Sequence, residues 1–133
     1  MCQVYFWEIN ESKEIELFDK LMSIVSTERR ARVARFKFQI DKLLAIFSEV
    51  LDRFLASSQN GTKNGDMIFT TNENGKPYLF NSPDFYFNIT HTRTAIAVAT
   101  SGNEIGVDIE KIRVADIKIA DRFFTSQEIN YIQ

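Results

Sequence analysis

Hydrophobic and polar positions change their period several times along the chain, and each change marks an element. Residues 3–9 bring aromatic and branched side chains together in a short run that predicts a strand, and Asn10 to Ser12 break it with residues suited to capping a helix. Ile15, Phe18, Leu21, Met22 and Val25 then recur at spacings of three and four, which predicts one helix ending near Ser26. Leu43, Leu44, Phe47, Val50, Leu51, Phe54 and Leu55 repeat that period more strongly, giving a long amphipathic helix over about residues 40–56. The stretch SSQNGTKNG at 57–65 is polar and glycine-bearing, hence a loop. Beyond it, strand-like runs at 67–71, 85–89, 94–100 and 104–110 are separated by turn residues, the last turn lying at 101–103. Helical character resumes after Glu110. A strand, then helices, then several strands predict an α+β fold, helices packed on a small sheet, rather than regular βαβ alternation.

Composition narrows the class. The 133 residues are 44% hydrophobic and 26% charged, the make-up of one ordinary soluble domain with a modest core. Twelve Phe, four Tyr and one Trp favour a packed α+β core over a helical array. A net charge of −2 supplies no global basic field, so binding of nucleic acid by the whole chain is not expected. Cys2, the only cysteine, has no partner for an internal disulfide, and no Cys and His residues pair at zinc-ligand spacing, which fits a reducing cytoplasm. The start MCQVYFWEIN has neither a basic leader nor a long apolar run, and nowhere do eighteen apolar residues follow one another, so neither secretion by that route nor a membrane span is expected.

Five local patterns carry candidate chemistry. Asp108 and Glu110 stand two apart on the run 104–110, so both carboxylates project from one strand face, while Val107 and Ile109 take the other. Two such carboxylates suit a magnesium ion that completes its shell with water and phosphate oxygens; a solvated strand face is the plain alternative. His91, the only histidine, stands between Thr90 and Thr92 at a strand end, where it can donate to a phosphate, serve as a base, or fill an ordinary hydrogen-bonding position. Lys76 lies in the tight turn Asn74-Gly75-Lys76-Pro77, a point charge on a rigid loop. Arg29 and Arg32 share a helix face at i, i+3, as a phosphate clamp, a solvated basic face or a nucleic-acid patch. Thr125 and Glu128 form the T-x-x-E pattern of a capping box, which explains Glu128 structurally.

Taken in order, G-K-P at 75–77, F-N-I-T-H-T at 87–92, I-G-V-D-I-E at 105–110 and R-F-F-T-x-x-E-I at 122–129, together with S-x-E-R-R-x-R-x-x-R-F at 26–36, resemble the 4′-phosphopantetheinyl transferases of the surfactin-synthetase-activating type. The resemblance runs along essentially the whole chain. It implies that family's α+β fold, with helices on a small, mostly antiparallel sheet. Residues 1–103 would form the N-terminal half, and 104–133 the start of a pseudo-symmetric second half, ending before the W-x-x-K-E motif. The implied reaction moves 4′-phosphopantetheine from coenzyme A to a serine of an acyl or peptidyl carrier protein, with Mg2+ as cofactor. The alternative is a non-catalytic half-domain that binds coenzyme A or a carrier protein without transfer.

By the same resemblance, Asp108 and Glu110 hold the metal; Arg29, Arg32, Lys76, Thr90, His91 and Thr92 contact coenzyme A; Asp108, His91 and Glu128 are the catalytic set. The segment 111–125 would dock the carrier protein. The expected partners are coenzyme A and the carrier protein, with no nucleic acid and no membrane, and self-association through an exposed sheet edge and apolar half-domain surface. The chain departs from the family pattern at Leu44 and Ala45, where an arginine and a small hydroxyl residue are usual. It also departs at Thr90 and Thr92, where serines are usual.

Overall fold

The computed structural model describes residues 1–113 and 120–132. In chain order the elements are β1 (Gln3–Glu8), α1 (Glu11–Glu14), α2 (Phe18–Met22), α3 (Thr27–Val33), α4 (Gln39–Asn60), β2 (Phe69–Thr71), β3 (Pro77–Leu79), β4 (Tyr86–His91), β5 (Ala95–Ser101), α5 (Ala120–Phe123) and α6 (Ser126–Ile132). The expected α+β class holds. Three antiparallel strands form the main sheet in the order β1-β5-β4, and β2 pairs with β3 in a separate ribbon.

Register assigns every side chain of the sheet to a face, because residues directly opposite each other project to the same side. Trp7, Ile96 and His91 lie in one row, and Tyr5, Val98 and Ile89 in the next. Val4, Ala99 and Asn88, and likewise Phe6, Ala97 and Thr90, form the rows of the opposite face. The first face receives α4: Leu43, Leu44, Phe47, Leu55 and Ala56 are buried with Phe87, Ile96 and Val98 in one core cluster. Trp7 stacks on Phe47 with ring centroids 6.1 Å apart. Burying each such large side chain is worth about 1.5–3 kcal/mol, so α4 on the sheet is the main source of stability. The second cluster, Val25, Val33 and Ile46, seats α3 on α4.

Four expectations are corrected. The helix foreseen over residues 12–26 is interrupted by a 3-10 turn at Ile15–Leu17. Three residues per turn instead of 3.6 rotate the stripe, so Ile15 is exposed and Glu14 is buried in its stead. Helix α4 continues to Asn60 where a loop was foreseen from Ser57, and Gly61 ends it in the left-handed conformation, φ 70°, its amide bonded to the Ser57 carbonyl. The strand β3 was not foreseen, since three residues that begin with a proline make no periodic signal. Most consequential, 104–110 forms no strand. Its alternation nonetheless survives: Ile105, Val107 and Ile109 are half-buried, while Gly106, Asp108 and Glu110 are exposed. Side chains of β4 hold it instead of a backbone ladder, for the Val107 amide donates to Asn88 Oδ1 at 2.8 Å.

Both outer strands of the main sheet, β1 and β4, leave an edge unpaired among the described residues. Val4, Phe6 and Phe54 are exposed beside β1, and Phe54 faces solvent although the apolar stripe placed it in the core. No helix among the described residues is long and apolar enough to cross a membrane.

Candidate functional site

Three residues from two distant segments meet in one cleft. Arg29 and Arg32 from α3 and His91 from the end of β4 line a cavity of about 360 Å³, with Asp41 and Ser48 of α4. Helix spacing of three puts both arginines on one side of α3, and the sheet register puts His91 on the face that α4 covers. Arg32 also lies over the Phe36 ring, 5.8 Å from its centroid. Leu44 and Ala45, at the positions that depart from the family pattern, are buried and give this cleft an apolar wall. A second cavity of about 410 Å³ shares Arg29, Arg32 and Pro77 and extends past Arg53 to Phe69 and Thr70.

Beneath the arginines lies a charged network that sequence reasoning missed. Glu49 Oε1 accepts from the Ser26 amide at 2.7 Å and from Arg53 Nε at 2.8 Å. Its Oε2 accepts from Arg29 Nε at 2.9 Å and from Ser26 Oγ at 3.1 Å. Burial alone would raise the Glu49 carboxyl, but the Ser26 amide and the two guanidiniums outweigh it and hold the group below the usual carboxylate range. The Glu49–Arg53 spacing of four was the available signal, though on a helix it reads equally as a surface pair.

Asp52, one turn along α4, behaves oppositely. It is buried, its Oδ1 has no hydrogen-bond partner, and burial pushes its carboxyl well above the ordinary value, Arg29 being too weak a counterweight. The proton is therefore kept in the folded state at pH values where the unfolded chain has lost it. Stability from this group is complete below about pH 4 and declines as pH rises through the folded value. Asp52→Asn removes that decline: relative to the native chain it should gain stability between pH 4.5 and pH 8 in urea unfolding, and an unchanged difference would contradict the buried neutral acid.

The opposite face of the sheet carries the carboxylates. Thr90 Oγ1 donates to Asp108 Oδ1 at 3.2 Å, and the Ile109 amide donates to the same oxygen at 2.9 Å. Glu110 and Thr92 line a cleft of about 770 Å³, beside Glu8 and Lys111. Thr92 Oγ1 accepts from the Thr94 amide at 3.3 Å, which tightens the β4–β5 turn. Lys76 joins neither arginine cleft: its ammonium donates to the Ile105 carbonyl at 2.6 Å and clasps the Asn72–Lys76 turn to the 104–110 segment. That turn is shaped by Asn72 Oδ1, which accepts from the Asn74 and Lys76 amides, and by Gly75 at φ 78°. His91 is exposed, with Nδ1 3.4 Å from the Thr92 carbonyl. The capping box forms as expected: Glu128 Oε2 accepts from the Thr125 amide at 2.7 Å and from its hydroxyl at 2.8 Å, which holds this carboxyl below the usual range.

The α+β fold thus carries a guanidinium–imidazole cleft on one face of its sheet and the threonine-braced carboxylate of Asp108 on the other. Residues 7–103 match the family described as 4′-phosphopantetheinyl transferase, N-terminal, and the chain belongs to that family. It is 37% identical over 119 residues, 90% of its length, to the 4′-phosphopantetheinyl transferase psf-1 of Bacillus pumilus, covering 50% of that protein. To the 4′-phosphopantetheinyl transferase Sfp of Bacillus subtilis (strain 168) it is 36% identical over 83% of its length, covering 49% of the relative. The 4′-phosphopantetheinyl transferase gsp of Aneurinibacillus migulanus aligns with all of the chain at 31% identity, with 55% of the relative covered. The chain thus spans about half the length of the curated relatives it matches.

Proposed function

We propose that this protein takes part in transfer of 4′-phosphopantetheine from coenzyme A to the serine hydroxyl of an acyl or peptidyl carrier protein in the cytoplasm. The observation that carries the reading is the meeting of Arg29, Arg32 and His91 in one cleft, although 59 positions separate Arg32 from His91 in the sequence. In the reaction the serine oxygen bonds to the phosphorus that bears pantetheine, the bond from that phosphorus to the leaving phosphate oxygen breaks, and adenosine 3′,5′-bisphosphate departs. The serine proton passes to a base.

Each assigned residue has a task that its setting supports. Arg29 and Arg32 supply a bidentate-capable cationic wall for phosphate, and His91 a further donor at its rim. Thr90 braces Asp108, and Thr92 continues that strand end. Lys76 keeps the 104–110 segment in place and offers a charge near it. The donor set of Asp108, Glu110 and the adjoining hydroxyl consists of hard oxygens and fits magnesium, which Asp108 and Glu110 would hold. Held by these two carboxylates, magnesium would supply positive charge to offset that of the diphosphate. The segments 1–103 and 104–133 correspond in this reading to an N-terminal half and the start of a second, whose residues 111–125, of which 114–119 lie outside the described residues, would meet the carrier protein.

Glu128 is assigned the serine proton as well as the cap, and the two tasks separate on substitution. Glu128→Gln keeps a hydrogen-bond acceptor for Thr125, so thermal stability should be nearly unchanged; transfer should fall by about 10²-fold if the carboxylate is the base. Equal transfer by both forms would leave only the cap.

The test of the whole reading is intact mass spectrometry of an apo carrier protein incubated with this protein, coenzyme A and magnesium. A magnesium-dependent gain of one phosphopantetheine group is expected. Coenzyme A binding without any gain would assign the second reading, a binding half-domain. Neither binding nor gain would overturn both.

A further inference from the structure

We infer that Glu49 is a positioning residue, which holds the Arg29 guanidinium at the wall shared with Arg32 and His91 and thereby sets the affinity of that cleft for a phosphate-bearing ligand. The ligand half of this inference rests on the coenzyme A reading above; the positioning half stands on geometry alone.

Glu49 fixes both the backbone and the tip of the arginine. Ser26 caps α3, its hydroxyl accepting from the Arg29 amide at 3.1 Å, and Glu49 in turn holds the Ser26 amide and hydroxyl. The first turn of the helix bearing Arg29 and Arg32 is thus tied to the middle of α4. At the other end of the side chain Glu49 takes the Nε hydrogen. No terminal nitrogen of Arg29 is bonded to another described residue, so both NH2 groups keep their hydrogens for a ligand. A planar guanidinium held through Nε presents its remaining donors in a fixed fork.

Arg53 shows the contrast. It gives Nε to the same carboxylate, but spends a terminal nitrogen on the Asn64 carbonyl and side-chain oxygens at 3.1 and 3.0 Å, and it lies over the Phe69 ring, 5.1 Å from the centroid. Its side chain is 8% exposed against 24% for Arg29. One carboxylate therefore holds two arginines, one consumed in the interior and the other offered to the cleft. Three guanidiniums, those of Arg29, Arg32 and Arg53, stand against the carboxylates of Glu49 and Asp41, which leaves a positive charge in excess, and burial disfavours the charged form of Asp52. That excess next to a cavity complements an anion.

The experiment is a double-mutant cycle on Glu49→Gln and Arg29→Met in the full chain, read in two ways. Isothermal titration with coenzyme A should show about tenfold weaker binding for Glu49→Gln in the native background, the loss of one charge-assisted contact, and little further loss in the Arg29→Met background. A role confined to stability would weaken both backgrounds alike, and that result would overturn the inference. Nitrogen-15 relaxation of the Arg29 Nε–Hε group should report a rigid side chain in the native protein and a mobile one in Glu49→Gln. A group already mobile in the native protein, or unmoved by the substitution, would also overturn it. A rigid group loosened by Glu49→Gln, in a protein that does not bind coenzyme A, would sustain the positioning and sink the coenzyme A reading instead.

Discussion

Replacing Glu49 by alanine should destabilise the protein by about 3–5 kcal/mol in urea unfolding, a large share of the 5–15 kcal/mol typical of a domain. The expectation follows from what is left behind. Four donors converge on the carboxylate, the Ser26 amide and hydroxyl and the Nε atoms of Arg29 and Arg53, and its side chain is only 6% exposed. Alanine strands all of them, and Arg53 has little access to water. The unpaired buried cation, more than the lost attraction, sets the size of the effect. A Glu49→Leu, Arg53→Met double variant should therefore recover part of the loss, since it removes the stranded charge along with its partner; a double variant as unstable as the sum of the two singles would refute this account.

Asp108→Ala should have the opposite signature, with transfer reduced on the order of 10³-fold or more and the fold almost untouched. Asp108 is exposed, and its bonds are the 3.2 Å contact from Thr90 and the amide of its own neighbour Ile109. Deleting it costs little cohesion. Under the proposed reading it removes one of the two protein carboxylates that would hold magnesium, so the charge developing on the diphosphate loses its counter-ion. Carrier-protein mass against time, beside thermal melting of the same preparations, checks both halves. Undiminished transfer would sink the metal assignment, whereas lost transfer with a lowered melting temperature would show that Asp108 acts by holding the 104–110 segment.

These two residues also mark how far the sequence could be read. The two-residue spacing of Asp108 and Glu110 singled them out in the sequence, and the alternation of exposure along 104–110 keeps that pattern without a strand. Glu49 was illegible. An acid and an arginine four apart on a helix look the same on a wet surface and in a dry interior, and only the packing of α3 over α4 decides which.

The sequence by itself determined the elements whose signal is periodic and local: β1, the body of α4, β4, β5, the glycine turn at Lys76 and the capping box at Glu128. It determined the class of fold through their order, and the family through motifs whose residues lie close together in the chain. Only the tertiary structure decided which face of the sheet each motif serves. One residue of register separates Thr90, with Asp108, from His91, with the arginines, and that step carries them to opposite sides of the sheet. It also decided that Lys76 clasps a backbone carbonyl and that Ile15 turns outward while Glu14 turns in. Burial, strand pairing and the sharing of one carboxylate by two arginines depend on residues far apart in the chain, and no local period records them.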